Sequence, residues 1–170
     1  MQKHGLWIPA LFGLAACNPA EVPTRNDSTP DKVATSGKTE VPIAEVPKAV
    51  LAAASAAQPG FTPVEAESET RDGRAYFNIG GKLADGSEVE FDIMADGASW
   101  RVVETQRDIR LAAAPEAVRE AAGGFQAGRV IESRQADGLV IYELYDSGQR
   151  KLEIKWDGKK AEALTKEWAH

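Results

Sequence analysis

Five Asp-Gly pairs interrupt the chain between residues 72 and 158, and they constrain its fold more than any other feature. Between them lie short stretches in which apolar and polar residues alternate, as in Glu88–Ile93 and Lys151–Trp156. Asp-Gly between alternating stretches is typical of a tight β-hairpin, and a period of two places the apolar residues on one sheet face. The pattern therefore predicts antiparallel sheet with one apolar and one polar face.

The same order of elements recurs in the two halves of the chain. Val46–Ala54 and Ala114–Ala122 each contain Pro-X-Ala-Val and an alanine-rich run. Proline suits the first turn of a helix and alanine its interior, so each run predicts a helix, and strand-like stretches follow both. Gly80 and Gly81 are interpreted as turn glycines. We predict an α+β fold of two tandem repeats, each a helix followed by three to four antiparallel strands, with the helices packed on one sheet face.

The amino end indicates where the protein resides. Lys3 precedes the apolar run Leu6–Leu14, which is too short to span a hydrocarbon core of about 30 Å. The run ends in Leu-Ala-Ala-Cys, which resembles the lipobox of bacterial lipoproteins. That resemblance implies cleavage before Cys17, attachment of lipid with fatty acyl chains such as palmitate to Cys17, and anchoring in the bacterial envelope, at the periplasmic face of the outer membrane. The alternative is an ordinary secretory signal with an incidental cysteine.

Composition divides the remaining chain. Residues 17–40 are rich in Pro, Ser, Thr, Asp and Asn and poor in large apolar groups, which predicts a flexible tether behind the lipidated cysteine. The signal peptide then covers 1–16, and the repeats cover 41–106 and 107–170. The formal net charge of −6, without a basic cluster, argues against nucleic acid as a partner. We expect membrane contact through the lipid on Cys17 alone.

The sequence offers few groups for catalysis. Its two histidines are His4, in the predicted signal peptide, and His170, the last residue, so a histidine-based triad or multi-histidine metal centre is excluded. Cys17 is the single cysteine, and no nucleophile elbow, P-loop or dinucleotide motif occurs. We therefore expect no enzyme, no catalytic residue, no cofactor and no metal.

Two predicted strands each carry three carboxylates at alternate positions. These carboxylates are Glu65, Glu67 and Glu69 on one strand and Glu88, Glu90 and Asp92 on the other. If the strands pair with matching faces, the six form an acidic patch that could bind a cation or a cationic partner. We favour the alternative of a solvated polar face. Glycan hydrolysis by paired carboxylates, tested at Glu90, is a third hypothesis.

Aromatic residues are the other binding candidates, because Trp and Tyr are enriched at binding hot spots. We select Trp100, Tyr145 and Trp168 as candidates for partner binding. Trp156 lies in line with the apolar residues of its strand, which favours a place in the core.

The order of motifs resembles a known family. The Pro-X-Ala-Val helix, the Asp-Gly turn, a Tyr- or Phe-containing strand, an alternating strand and a closing Asp-Gly resemble the PepSY-like domains, periplasmic or lipoprotein modules often labelled β-lactamase-inhibitor-like. Ala114–Leu164 is the better match. The resemblance implies a non-enzymatic binding or inhibitory module and transfers no site residue. We expect a lipoprotein that binds an envelope protein, or alternatively an inhibitor of an envelope hydrolase such as a peptidase or β-lactamase.

Overall fold

The computed structural model describes residues 37–168, and its helices and strands follow the two-part order of the sequence. The amino-terminal half contains β1 (Thr39–Glu40), α1 (Lys48–Ala57), β2 (Thr62–Arg71), β3 (Arg74–Lys82), β4 (Glu88–Asp96) and β5 (Ser99–Ile109). The carboxyl-terminal half contains α2 (Glu116–Ala122), β6 (Arg129–Gln135), β7 (Val140–Tyr145), β8 (Lys151–Trp156) and β9 (Ala161–Ala163). Short 3₁₀ turns, Ile43–Glu45 and Leu111–Ala113, precede the two helices.

All nine strands belong to one antiparallel sheet whose spatial order matches the chain order. The predicted α+β fold of two tandem repeats is therefore wrong, because the strands of both halves form a single continuous sheet. Helix is confined to two short segments in the described range. Both begin where the sequence predicted, directly after Pro47 and Pro115. Neither is long and apolar enough to cross a membrane.

β5 is the strand that the sequence pattern did not predict correctly. Its apolar residues end at Val103, and residues 104–108 are all polar, a pattern that does not predict a strand with one apolar face. Instead Glu104–Ile109 pair with Val130–Gln135 of β6. Backbone hydrogen bonds between strands need no apolar side chains, and this pairing joins the halves. The predicted boundary between residues 106 and 107 lies inside β5, and residues 39–40, assigned to the tether, form β1.

Both helices pack on the same side of the sheet, which we call the helix face. Phe91, Thr105, Arg134 and Val140 pair directly across four strands, and directly paired residues share a face. Two hydrophobic clusters lie on this face. The first, under α1, comprises Val46, Val50, Ala54, Phe61, Ala66, Ile79, Val89, Phe91 and Ile93. The second, under α2, comprises Ala114, Val118, Ala122, Val130, Val140, Tyr142, Leu144 and Ile154.

Gly80 and Gly81 lie within β3 and not in the turn that the sequence predicted. A Cβ atom on Gly81 would lie 2.2 Å from the carbonyl oxygen of Thr62 and 2.6 Å from a ring carbon of Phe61. Glycine is therefore required for β2 and β3 to approach each other beside the first cluster. A Cβ on Gly80 would lie 2.7 Å from Glu65 Oε1, so the Glu65 side chain occupies the space above Gly80.

We expect Gly81→Ala to lower the free energy of unfolding by about 1–3 kcal/mol, because the added methyl group collides with backbone as well as with a ring. Gly124→Ala is the matched control, since a Cβ there meets no atom within 4 Å. Urea denaturation of the two variants measures the difference. Equal stability of both would contradict the close approach at Gly81.

Candidate functional site

The polar face, which we define as the side of the sheet opposite α1 and α2, carries two rows of directly paired residues. The first row is Glu67, Asn78, Asp92, Glu104 and Gln135. The second row is Glu65, Gly80, Glu90, Gln106 and Ser133. The registers confirm that the predicted carboxylates of β2 and β4 share one face, with β3 between them.

Arg71 organises the first part of the polar face. Its Nε donates to Glu69 Oε1 at 2.6 Å, and its Nη2 donates to Asp92 Oδ2 at 2.6 Å. The guanidinium carbon lies 4.4 Å from the centre of the Tyr76 ring. Glu69 is 6% exposed and Asp92 is 3% exposed, so the solvated face that we favoured is wrong for these two carboxylates. Both are buried acids that share one cation.

Asp92 has a second set of neighbours. With its amide nitrogen towards Asp92, Asn78 donates to Asp92 Oδ1 at 3.1 Å and accepts from Lys38 Nζ. Burial raises the pKa of Asp92 above its usual range, the hydrogen bond from Arg71 opposes this, and the charge of Glu104 on the paired strand adds to the rise. Glu104 itself accepts from Ser133 Oγ.

Glu65 and Glu90 differ from these engaged carboxylates. Among residues 37–168, neither side chain forms a hydrogen bond or an ion pair. Both lie beside Gly80, since each is paired with it in the second row. Burial raises the pKa of Glu90 above its ordinary value of 4.5, repulsion by Asp92 adds to the rise, and Lys38 offsets part of it. The two acids form a region of negative charge beside Gly80.

Two adjoining clefts open on the polar face at this place. The larger has a volume of about 460 Å³ and the smaller about 420 Å³, and both are lined by Glu65, Gly80 and Glu90. Val64 and Ile131 add apolar surface to the larger cleft. Val64 stands at a register shift between Pro63 and Glu65 and is 59% exposed, the highest exposure of a large apolar residue in the described range. A β-bulge changes the direction in which a side chain points, and this accounts for the exposure of Val64.

The helix face also contains a buried acid, Glu132, on β6 and directly paired with Arg107 of β5. Arg107 Nη2 lies 2.7 Å and Arg134 Nε 2.8 Å from its Oε1, and the Tyr142 hydroxyl donates to its Oε2 at 3.1 Å. Burial favours a higher pKa for Glu132, but the hydrogen bonds from Arg134 and Arg107 outweigh it and hold the pKa below its ordinary value of 4.5. This carboxylate is ionised at neutral pH.

The structure does not bring the three aromatic candidates together. Trp100 is on the helix face, where its ring packs edge to face against Phe77 with the centres 5.4 Å apart. Tyr145 is on the polar face and donates to Glu143 Oε2 at 2.6 Å. Burial, together with the neighbouring Glu143 carboxylate, raises the pKa of Tyr145 to about 12.

Trp168 lies beside β8. Its backbone N–H donates to Glu153 Oε2 at 2.5 Å, and Lys155 Nζ lies 5.8 Å from its ring centre. The segment after β9, which carries Trp168, also contacts β8, because the Leu164 N–H donates to the Glu153 carbonyl at 2.8 Å. Cys17, the predicted site of lipidation, lies outside the described residues.

Arg71 and Gly80 were not selected as site residues from the sequence, and Gly80 was interpreted as a turn glycine. Arg71 does continue the period of two that starts at Glu65, and this signal would have placed it on the same face. Gly80 gives no such signal, because a glycine in a strand and a glycine in a turn are alike in sequence.

Within residues 37–168, no group of three or more His, Cys, Asp or Glu side chains is arranged to hold a metal ion. No model of a known protein family matches the chain, and no curated protein matches it. The resemblance to PepSY-like domains stays a prediction.

We expect Arg71→Met to lower the free energy of unfolding by about 2–3 kcal/mol, since it leaves two buried carboxylates without their cation. Arg101→Met is the control, because its ion pair with Asp96 is half exposed and such pairs contribute less than about 1 kcal/mol. Urea denaturation at neutral pH compares the variants. Similar losses in both would show that the Arg71 cluster is no stronger than a surface pair.

We expect Glu90→Gln to raise stability at pH 7 by about 0.5–1 kcal/mol, the size of a cross-strand charge effect. Because the pKa of Glu90 is raised on folding, the folded protein binds this proton more tightly than the unfolded chain. The ionised acid therefore destabilises the fold at neutral pH, and the penalty disappears as the pH falls below 4.5. Thermal melting at several pH values measures this.

The control for that experiment is Glu88→Gln. Glu88 is exposed, and its carboxylate lies 3.5 Å from Lys82 Nζ. We expect it to change stability little at any pH. An advantage of Glu90→Gln that grew at acidic pH would contradict the assignment.

Proposed function

We propose that the chain is a lipid-anchored lipoprotein of the bacterial envelope that acts as a non-enzymatic protein-binding module. The observation that carries this proposal is the asymmetry of the sheet. Its helix face is occupied by α1 and α2, whereas its polar face presents two adjoining clefts at Gly80. A sheet face with a cleft that has both apolar and charged groups is suited to holding a partner chain.

The state of the acids supports binding over catalysis. Asp92 and Glu132 accept hydrogen bonds from arginine, so each is fixed by partners from its own fold. A general acid or base must instead reach a substrate atom and exchange its proton with it. Glu90 is free of such partners among the described residues, and it is the residue on which the glycan-hydrolysis hypothesis depends. Loss of a glycan-cleaving activity on Glu90→Gln would replace the binding proposal.

The predicted lipid attachment at Cys17 and the predicted tether after it support the same proposal. A binding module held near a bilayer by a flexible segment meets partners of that bilayer at high effective concentration. The periplasmic face of the outer membrane is the proposed location.

The test is capture of envelope proteins by the full-length chain, followed by titration of the purified candidate. We expect one envelope protein to bind saturably, with a defined stoichiometry and a dissociation constant that stays the same when the bait is diluted. The chain unfolded by prior heating is the control for adhesion to exposed apolar surface. A set of proteins that bind without saturation would contradict the proposal.

Inhibition is the second outcome of that experiment. If the captured protein is a peptidase or β-lactamase, the rate of hydrolysis in the presence of increasing amounts of chain distinguishes an inhibitor from a passive binder. A rate that falls in proportion to occupancy would identify an inhibitor.

A further inference from the structure

The cations that border the clefts at Gly80 are already paired. The pairs are Lys38 with Glu67 at 3.4 Å, Lys82 with Glu88 at 3.5 Å, Arg129 with Asp108 at 2.8 Å and Arg107 with Glu132 at 2.7 Å. Glu65 and Glu90 are left, with no ion pair in the described part of the chain. The charge that a ligand would meet above Gly80 is therefore negative.

The larger cleft, which lies beside Gly80 and the Glu65 side chain, has room for a long side chain. Gly80 contributes only backbone to the floor, and Glu65 and Glu90 stand on either side of it in the paired row. Val64 and Ile131 line the same cleft with apolar surface. Lysine and arginine have apolar stems that lie along such surface while their charged ends reach polar groups. A basic side chain matches both properties of the cleft.

The clefts also lie near an edge of the sheet. Within residues 37–168, β1 pairs with β2 only opposite Glu67 and Ser68, and the Val41 N–H donates to the Ala66 carbonyl. The part of β2 that starts at Thr62 extends past this pairing, next to the larger cleft. An extended segment can enter from this side without displacing a strand of the described sheet.

We propose that the clefts at Gly80 dock a basic, extended segment of a partner protein, with a lysine or arginine side chain between Glu65 and Glu90 and its stem against Val64. This inference rests on the proposed protein-binding function and names the partner chemistry of that site. The raised pKa of Glu90 agrees with it, because a bound cation removes the repulsion that Glu90 experiences from Asp92 and Glu65.

The test uses the full-length chain in detergent micelles and fluorescein-labelled hexalysine as the probe, at about physiological ionic strength so that distant charges are screened. Glu65→Gln combined with Glu90→Gln is expected to weaken binding at least about tenfold, since two charge contacts are lost. Glu45→Gln combined with Glu120→Gln removes the same charge from exposed positions near the helices. We expect this control to weaken binding less than about twofold.

Several results would overturn the inference. Equal weakening by both double variants would show general attraction to an acidic protein, and failure of the parent chain to bind hexalysine would remove the site. Displacement of the probe by calcium chloride, but not by sodium chloride of equal ionic strength, would indicate a metal site instead. Thermal melting of both double variants, measured beside binding, distinguishes loss of the site from unfolding.

The two proposals fail in different ways. If an envelope partner binds the Glu65→Gln, Glu90→Gln variant as tightly as it binds the parent chain, the docking site is overturned and the protein-binding function stands. If hexalysine binds as expected but no envelope protein binds saturably, the protein-binding function is overturned.

Discussion

The continuity of β5 is the constraint on which the rest of the structure depends. Its first residues pair with β4 and its last residues pair with β6, so one strand belongs to both halves of the molecule. The two hydrophobic clusters are separate, and Glu132 and its two arginine partners lie on β5 and β6 of the helix face. The halves are therefore joined by backbone hydrogen bonds and by the ion pair between Arg107 and Glu132, and not by a shared apolar core.

The two faces show how the number of cations decides the behaviour of a buried acid. Glu132 has two arginines and a tyrosine hydroxyl, and its pKa falls below the ordinary value. Asp92 shares one arginine with Glu69 and lies opposite Glu104, and its pKa rises. Desolvation favours a higher pKa for both carboxylates, and only at Glu132 do the hydrogen bonds from two arginines outweigh it. The polar face thus retains unbalanced negative charge, whereas the charge of Glu132 on the helix face is balanced by Arg107 and Arg134.

Much of the local structure could be predicted from the sequence, because its signals are local. Asp-Gly pairs between alternating residues identified the hairpins, and Pro47 and Pro115 identified both helix starts. The alternating carboxylates of β2 and β4 were also placed on one face, as the registers confirm.

The errors arose where the decisive contact is distant in sequence. The polar end of β5 gave no apolar alternation, and what defines it as strand is pairing with residues 129–135. Gly81 is a strand residue because Phe61 and Thr62 approach it, which no property of the Gly-Gly pair reveals. The two-repeat α+β prediction failed for the first of these reasons, since it did not include the pairing of β5 with β6 that joins the halves.

The sequential order of the strands has a consequence for how the chain acquires its structure. Each strand pairs with the one before it in the chain, and only the β1–β2 and β5–β6 pairs have a helix, α1 or α2, in the segment that connects them. The loops between the other strand pairs are short, and short loops close quickly and at low entropic cost. We expect the sheet to grow from its amino-terminal hairpins as the chain is synthesised. The first cluster can then form before α2 is available, and β5 offers a ready edge on which β6 adds.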